Sequence, residues 1–391
     1  VTLLQAPPAS VSQAPGQPFR PGSAVSVGLS SGALSIGAIG TVAYVDAEKV
    51  WAFGHAFDGT GRRSLLLQDA YVATVINNPV QLPDAGGSYK LAGALNDVGT
   101  VSNDGFSAVA GRVGALPPTI PVHVIARDAD TARQTATNVK VADETDLSSP
   151  SGASAISFVG PLAVTQAAVI MGATPARVAG EGCLRITLKE RKEPVRICNR
   201  YVSDGASGTT DAALINIVAL GAGNDAASAL SLIDAYKPAA LHLTEVSARV
   251  TMTRGQHQAY MRRLILPRLV RRGSRVTARL VVQRVRGARE TIRFKMRIPA
   301  TLRRGFQRIT LKGADPDGAQ DLFGGLTITL GDESEPDTQG PKTLAALVKE
   351  IRKLQRWDGV RMTGRSGGRV YRDADLRIGG RASTFVRVLR G

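Results

Sequence analysis

Histidine and cysteine are scarce in this chain, and their scarcity removes several kinds of chemistry. The 391 residues include four histidines, His55, His123, His242 and His257, and two cysteines, Cys183 and Cys198. No histidine has another His or Cys at ligand spacing, so a zinc site is unsupported and no metal is expected. There is no P-loop, no paired-carboxylate glycosidase signature and no Cys–His arrangement, and no cofactor is expected. Two segments lack charge, Pro21 to Val45 and Ser151 to Ala176. The first alternates in a Gly/Ser-rich pattern and the second is interrupted by Gly160, Pro161 and Gln166, so both read as buried structure rather than spanning helices. The sequence starts at Val1 without a basic, then apolar, leader pattern, which leads us to expect a fragment or processed form.

What is present is mainly β. Helix-favouring segments are few, Val, Ile, Thr, Gly and Arg are plentiful, and the length predicts roughly two to four domains. Residues 1–20 read as an extended lead-in. From 21 to 145, short strands separated by Gly-rich turns predict a barrel or sandwich. TDLSSPSG, Thr145 to Gly152, marks a boundary. Residues 146–238 form a mixed segment, with a buried helix over Pro161 to Gly172 and two further helices, Asp211 to Leu220 and Ala226 to Ala235, joined by GAGND. Residues 239–331 read as a basic Ig-like β-sandwich. In TIRFKMRI, Ile292, Phe294, Met296 and Ile298 fall on one face, and Arg293, Lys295 and Arg297 on the other. The acidic stretch Asp332 to Asp337 reads as a linker. Residues 332–391 form a small α/β tail with a helix opened by Pro341.

The two cysteines lie in GCLRITLKERKEPVRICNRYV, symmetrically about the charged turn Lys189 to Glu193. A hairpin over this stretch faces the thiols across two strands, and a disulfide there would point to export. The alternative is a pair of buried free thiols.

His55 is the leading candidate for chemistry. In GTVAYVDAEKVWAFGHAFD, Gly40 to Asp58, two strands meet at a polar turn, Asp46 to Lys49, and the second ends at Gly54. A glycine before His55 lets the backbone turn while the imidazole is presented. His123 and His242 sit in strand-like runs and read as structural.

PGSAVSV (Pro21 to Val27), GTVAYVD (Gly40 to Asp46), AFGHAF (Ala52 to Phe57) and VGTVSNDGFSAVAGRVG (Val98 to Gly114) together resemble the SpoIVB-type serine peptidase family. Its members occur among exported bacterial proteins. The resemblance covers about residues 20–125. It implies a trypsin-like β-barrel, a protein or peptide substrate, a place in the cell envelope or outside the cell, and the histidine of the Gly-His motif, here His55, as general base to a serine. The family's Gly-Met-Ser-Gly-Ser-Pro nucleophile motif has no match. SPSGA (Ser149 to Ala153) and GGSYK (Gly86 to Lys90) are the nearest stretches, the catalytic acid is unassigned, and Ala56 replaces the proline that commonly follows Gly-His. His55 is therefore expected to be either the base of a Ser–His peptidase whose serine lies on a segment absent from this sequence, or a relic on a non-catalytic barrel.

Two further patterns compete for function. GAGNDA, Gly221 to Ala226, followed by Glu245, superficially fits a dinucleotide fingerprint. The competing reading is a turn between helices capped by Asn224 or Asp225. The second pattern is charge. Between Thr251 and Gly313, 18 Lys plus Arg face the single acid Glu290, a net +17 that equals that of the whole chain. Such a cluster attracts anionic envelope polymers or other polyanions non-specifically, or is simply a solvated face. Only Tyr260, Phe294 and Phe306 are aromatic there, which argues against specific nucleic-acid recognition. A non-catalytic exported binding protein is thus the competing class.

Overall fold

The computed structural model describes residues 16–76, 89–147, 154–171, 178–202, 216–255, 257–314, 341–363 and 368–389. Most of the lead-in, the first three residues of GGSYK, the whole of SPSGA and the acidic linker lie outside these residues.

The chain is mainly β, and its first unit is a closed barrel. Strands β1 (Ala24–Gly28), β3 (Gly37–Asp46), β4 (Lys49–Ala52), β5 (Gly61–Ile76), β6 (Tyr89–Asp104) and β7 (Val109–Val113) pair in the order β1-β3-β4-β7-β6-β5, and β5 returns to β1. Closure removes every sheet edge and leaves an interior that side chains must fill. Val25, Val27, Val42, Val50, Leu65, Leu67 and Val101 do so. The β3–β4 hairpin turns where expected, with Asp46 opposite Lys49 and Ala47 at φ 50. A short β2 (Ser30–Gly32) leaves the barrel and pairs with the next sheet.

That sheet changes the expected domain boundaries. Strands β8 (Thr119–Asp128) and β9 (Gln134–Ala142) do not belong to the barrel. With β10 (Val178–Leu188), β11 (Val195–Val202) and β12 (Leu243–Arg254) they form a sheet in the order β11-β10-β12-β8-β9-β2. The boundary therefore falls between β7 and β8, not near residue 145, and β12 belongs here rather than to the basic sandwich. The cause is long-range pairing: β8 runs parallel to β12, with Val122 opposite Val246. Helix α1 (Ala155–Met171) packs on β8 and β9, and α2 (Ile217–Asp234) on β10 and β11. No helix among the described residues is long and apolar enough to cross a membrane. On β10 and β11, Cys183 lies directly opposite Cys198, and the two form a disulfide.

The two helices expected around GAGND are one over the described residues. Helix α2 runs unbroken through Gly221–Ala226 and is capped by Asn216, whose Oδ1 accepts from Val218 N at 2.9 Å and Ala219 N at 3.4 Å. Glycine costs about 1 kcal/mol in a helix, and here close packing demands it. A Cβ on Gly221 would lie 2.2 Å from the Tyr201 ring, and one on Gly223 would lie 2.1 Å from Thr165 Oγ1. A dinucleotide fingerprint needs these glycines in a loop after a strand, so the nucleotide reading and the capping roles of Asn224 and Asp225 are excluded.

The basic sandwich draws on both ends of the remaining chain. Strands β13 (Gln258–Ile265), β14 (Leu269–Arg271), β15 (Arg275–Arg284), β16 (Arg289–Arg297) and β17 (Gly305–Lys312) are joined by β18 (Val360–Met362), β19 (Arg369–Tyr371), β20 (Arg377–Gly379) and β21 (Arg381–Leu389). One sheet has the order β16-β15-β13-β20, the other β14-β21-β17-β18-β19, and both line one core. In β16, Phe294 and Met296 are buried and Arg293, Lys295 and Arg297 exposed, as the alternation predicts. The C-terminal tail is therefore not a separate unit. Its strands complete the sandwich, while α3 (Leu344–Lys353), capped by Thr343 rather than opened at Pro341, buries Leu347, Val348 and Ile351 in the core of the middle sheet.

Candidate active site around His55

A strained elbow delivers His55. Strand β4 ends at Ala52, and the next two residues both take positive φ, Phe53 at 74 and Gly54 at 75. For glycine this conformation is ordinary; for phenylalanine it is costly and persists only where packing over-determines it. The hold is visible. Phe53 N donates to Thr41 O at 3.0 Å, and its ring covers Gly40, where a Cβ would lie 2.0 Å from a ring carbon. Gly40 thus supplies the space that the elbow needs.

Beyond the elbow the loop is clamped by a buried acid. Asp104, at the end of β6 and 1% exposed, accepts from the backbone N–H of Phe57, Asp58 and Gly59 at 2.7, 2.6 and 2.8 Å. Arg63 stands beside it, with Nη1 3.9 Å from Asp104 and 2.8 Å from Asp58. It also grips Glu144 two-pronged, at 2.8 and 3.0 Å. Burial works against the charge of Arg63, but the hydrogen bonds it donates to Glu144 and Asp58 outweigh it and hold its pKa above the usual arginine value. The role of Asp104 was not readable from the sequence, because an Asn-Asp-Gly stretch equally signals an ordinary turn.

The imidazole is exposed at the end of this support, with its ring 5.6 Å from that of Phe53. Its Nδ1 lies 2.6 Å from Ala56 O. A carbonyl can only accept, so the neutral ring carries its proton on Nδ1 and presents Nε2 as a proton acceptor. Among the described residues no serine hydroxyl and no carboxylate bonds the ring.

The other histidines are placed elsewhere. His123 bonds Asn138 Oδ1 at 2.8 Å across β8 and β9, and His257 bonds Arg254 O at 2.9 Å. His242 lies between Glu190 at 2.6 Å and Asp146 at 3.2 Å, and the hydrogen bonds its ring donates to Glu190, then to Asp146, raise its pKa. A raised folded-state pKa stabilises the protein below the unfolded value near 6.5, and this contribution fades as pH rises through the folded value. A His242→Gln variant is accordingly expected to lose part of the fall in urea midpoint that the parent shows on the alkaline side of pH 6.5; identical profiles would remove this role.

A second polar cluster lies beside the disulfide. Asp225 accepts from Tyr201 Oη, from Asn199 Nδ2 at 2.6 Å and from both Arg356 Nη atoms at 3.0 and 3.1 Å. Asn199 closes the circuit by accepting from Arg356 N at 2.7 Å and donating to Leu354 O at 2.9 Å. Burial, then the neighbouring Asp225 charge, push the Tyr201 pKa well up, so the phenol stays protonated. The bonds of Asp225 and Asn199 to Arg356 and Leu354 make the cluster a fastening for the end of α3. Glu181, Cys183 and Cys198 are close enough to suggest metal ligands, but the two sulfurs are consumed by the disulfide.

No protein-family model, curated protein or solved structure matches this chain.

Proposed function

We propose that His55 is the general base of a serine endopeptidase of the SpoIVB type in the bacterial cell envelope, acting on a protein or peptide substrate, self-cleavage included. The observation that carries this reading is the construction around one imidazole. Two left-handed residues, a glycine cleared for Phe53 and a buried carboxylate holding three consecutive N–H groups converge on a loop that presents the exposed His55. Strain of this kind clusters at functional sites. In the reaction Nε2 takes the proton from a serine hydroxyl as it attacks the scissile carbonyl, then returns it to the leaving amine. Ala56 O steadies the Nδ1–H in the position a carboxylate takes in many triads.

The serine must come from a segment that the described residues do not place beside His55. The 391-residue polypeptide alone is therefore expected to remain unlabelled by a serine-directed fluorophosphonate. A form of the protein that carries the nucleophile motif should label and hydrolyse peptide, and His55→Ala should lower its turnover by about 10²–10⁴-fold. No labelling of that form, or labelling and turnover indifferent to His55→Ala, would sink the proposal.

A second reading is favoured by one feature of the sandwich. On the outer face of β15 and β16, Arg275 is paired with Arg297 and Arg279 with Arg293. Like charges directly opposite are destabilising unless neutralised, so this ladder favours contact with an anionic envelope polymer. Under this reading the barrel is non-catalytic.

A further inference from the structure

The opposite face of the same sandwich carries something different. Pairing of β17 with β21 sets Phe306 opposite Arg387 and Arg308 opposite Phe385. Parallel pairing of β14 with β21 then sets Leu269 beside Arg387. Phe306 is 77% exposed, Phe385 69% and Leu269 58%. Strand parity explains why they point outwards, since Ile309, Leu311, Val386 and Val388 fill the core. Parity does not explain why they are apolar: the outward positions of a solvated sheet face suit polar residues, and contiguous exposed aromatics are the informative exception. The strands β14, β17 and β21 contain no acidic residue, and among the described residues Arg271, Arg308 and Arg387 form no ion pair. Arg308 bonds only Ser383 Oγ, at 3.1 Å.

We infer that this face binds single-stranded nucleic acid without sequence preference, with Phe306 and Phe385 as base-stacking platforms and Arg271, Arg308 and Arg387 holding the phosphates. The two rings occupy diagonal positions, roughly 7–8 Å apart at the backbone, and each has an arginine as its cross-strand partner. Alternating aromatic faces and cations is the arrangement that a flexible strand of stackable bases and anionic links fits. A duplex fits poorly, because a five-stranded sheet face is too broad to enter either groove. A lipid surface fits less well, since the rings cannot reach the acyl layer without burying the arginines paired with them. A polyanion lacking rings would leave both phenylalanines unused. The inference shares the cationic sandwich with the second reading above but is independent of His55 and of the β15–β16 ladder.

The test is fluorescence anisotropy of the 391-residue protein with a mixed-sequence 12-nucleotide single-stranded DNA, beside polyphosphate of matched charge as competitor and anionic phosphatidylglycerol vesicles. Phe306→Ala and Phe385→Ala should each weaken the DNA complex about 5- to 150-fold, with polyphosphate affinity and melting temperature unchanged. Phe385→Tyr should restore binding, because it keeps the stacking face. Arg308→Gln with Arg387→Gln should reduce the salt slope by about 1.4. DNA affinity that ignores both phenylalanine changes and merely equals that of polyphosphate would overturn the inference while leaving polymer binding by the other face intact. Vesicle binding lost in the phenylalanine variants, with no DNA binding by the parent, would overturn it in favour of a membrane contact.

Discussion

Asp225→Ala is expected to destabilise the protein by about 3 kcal/mol, the lower end of the usual cost of removing one partner from a buried ion pair. Asp225 is 13% exposed at its side chain and Arg356 23%. After truncation Arg356 keeps some access to water, which limits the loss, but Tyr201 Oη and Asn199 Nδ2 lose the acceptor they share. These groups tie α2 to β11 and to the segment leaving α3. The measurement is urea denaturation with the slope m checked for constancy. Adding Arg356→Ala should cost less than its effect in the parent, because the two side chains share one interaction. Additive losses would show that the cluster is not a coupled unit.

Asp104→Ala comes next, with an expected loss of about 2–4 kcal/mol, on the basis that each hydrogen bond to a charged group contributes about 1.5–3 kcal/mol. Three N–H groups lose their acceptor, although Gly59 and its neighbours lie near enough to water to recover part of it. The diagnostic result is local. Amide exchange at 57–59 should accelerate well beyond the change in global stability, as expected when one loop opens independently of the barrel. Asp104→Asn should behave similarly, because its amide turns a donor towards N–H groups that need an acceptor. Exchange at 57–59 that only follows global unfolding would show that Asp104 does not hold the loop of His55.

Sequence reading succeeded where the deciding interaction is local. The β3–β4 hairpin, the facing cysteines and the two faces of β16 all follow from short-range alternation and turn residues. It failed where a distant partner decides. The glycines of α2 look like a helix break because glycine is a poor helix former, and only the Tyr201 ring and Thr165, brought in from other elements, explain why they are needed. Nothing near residue 145 reveals that β8 takes β12 as its neighbour. The aromatic face was hidden for the same reason: Phe385 lies far along the chain from the basic segment, and the pairing of β21 with β17 places it there. At the candidate site the turn that carries His55 follows from the hairpin and Gly54, while the strain at Phe53 and the grip of Asp104 exist only once the barrel closes.

The completion of the sandwich by its last strands has a consequence for synthesis. Gln258 in β13 takes Arg377 in β20 as its neighbour, 119 residues later, so a ribosome must add all of those residues before this sheet can acquire its outer strand. Until then β13, β15 and β16 form an open-edged ribbon, the kind of intermediate that invites strand-to-strand association between nascent chains. The arginines that crowd its outer face give such ribbons a mutual repulsion during that wait. Their density thus has a use before the protein meets any ligand, as a safeguard for the interval between the first strand of the sandwich and the last.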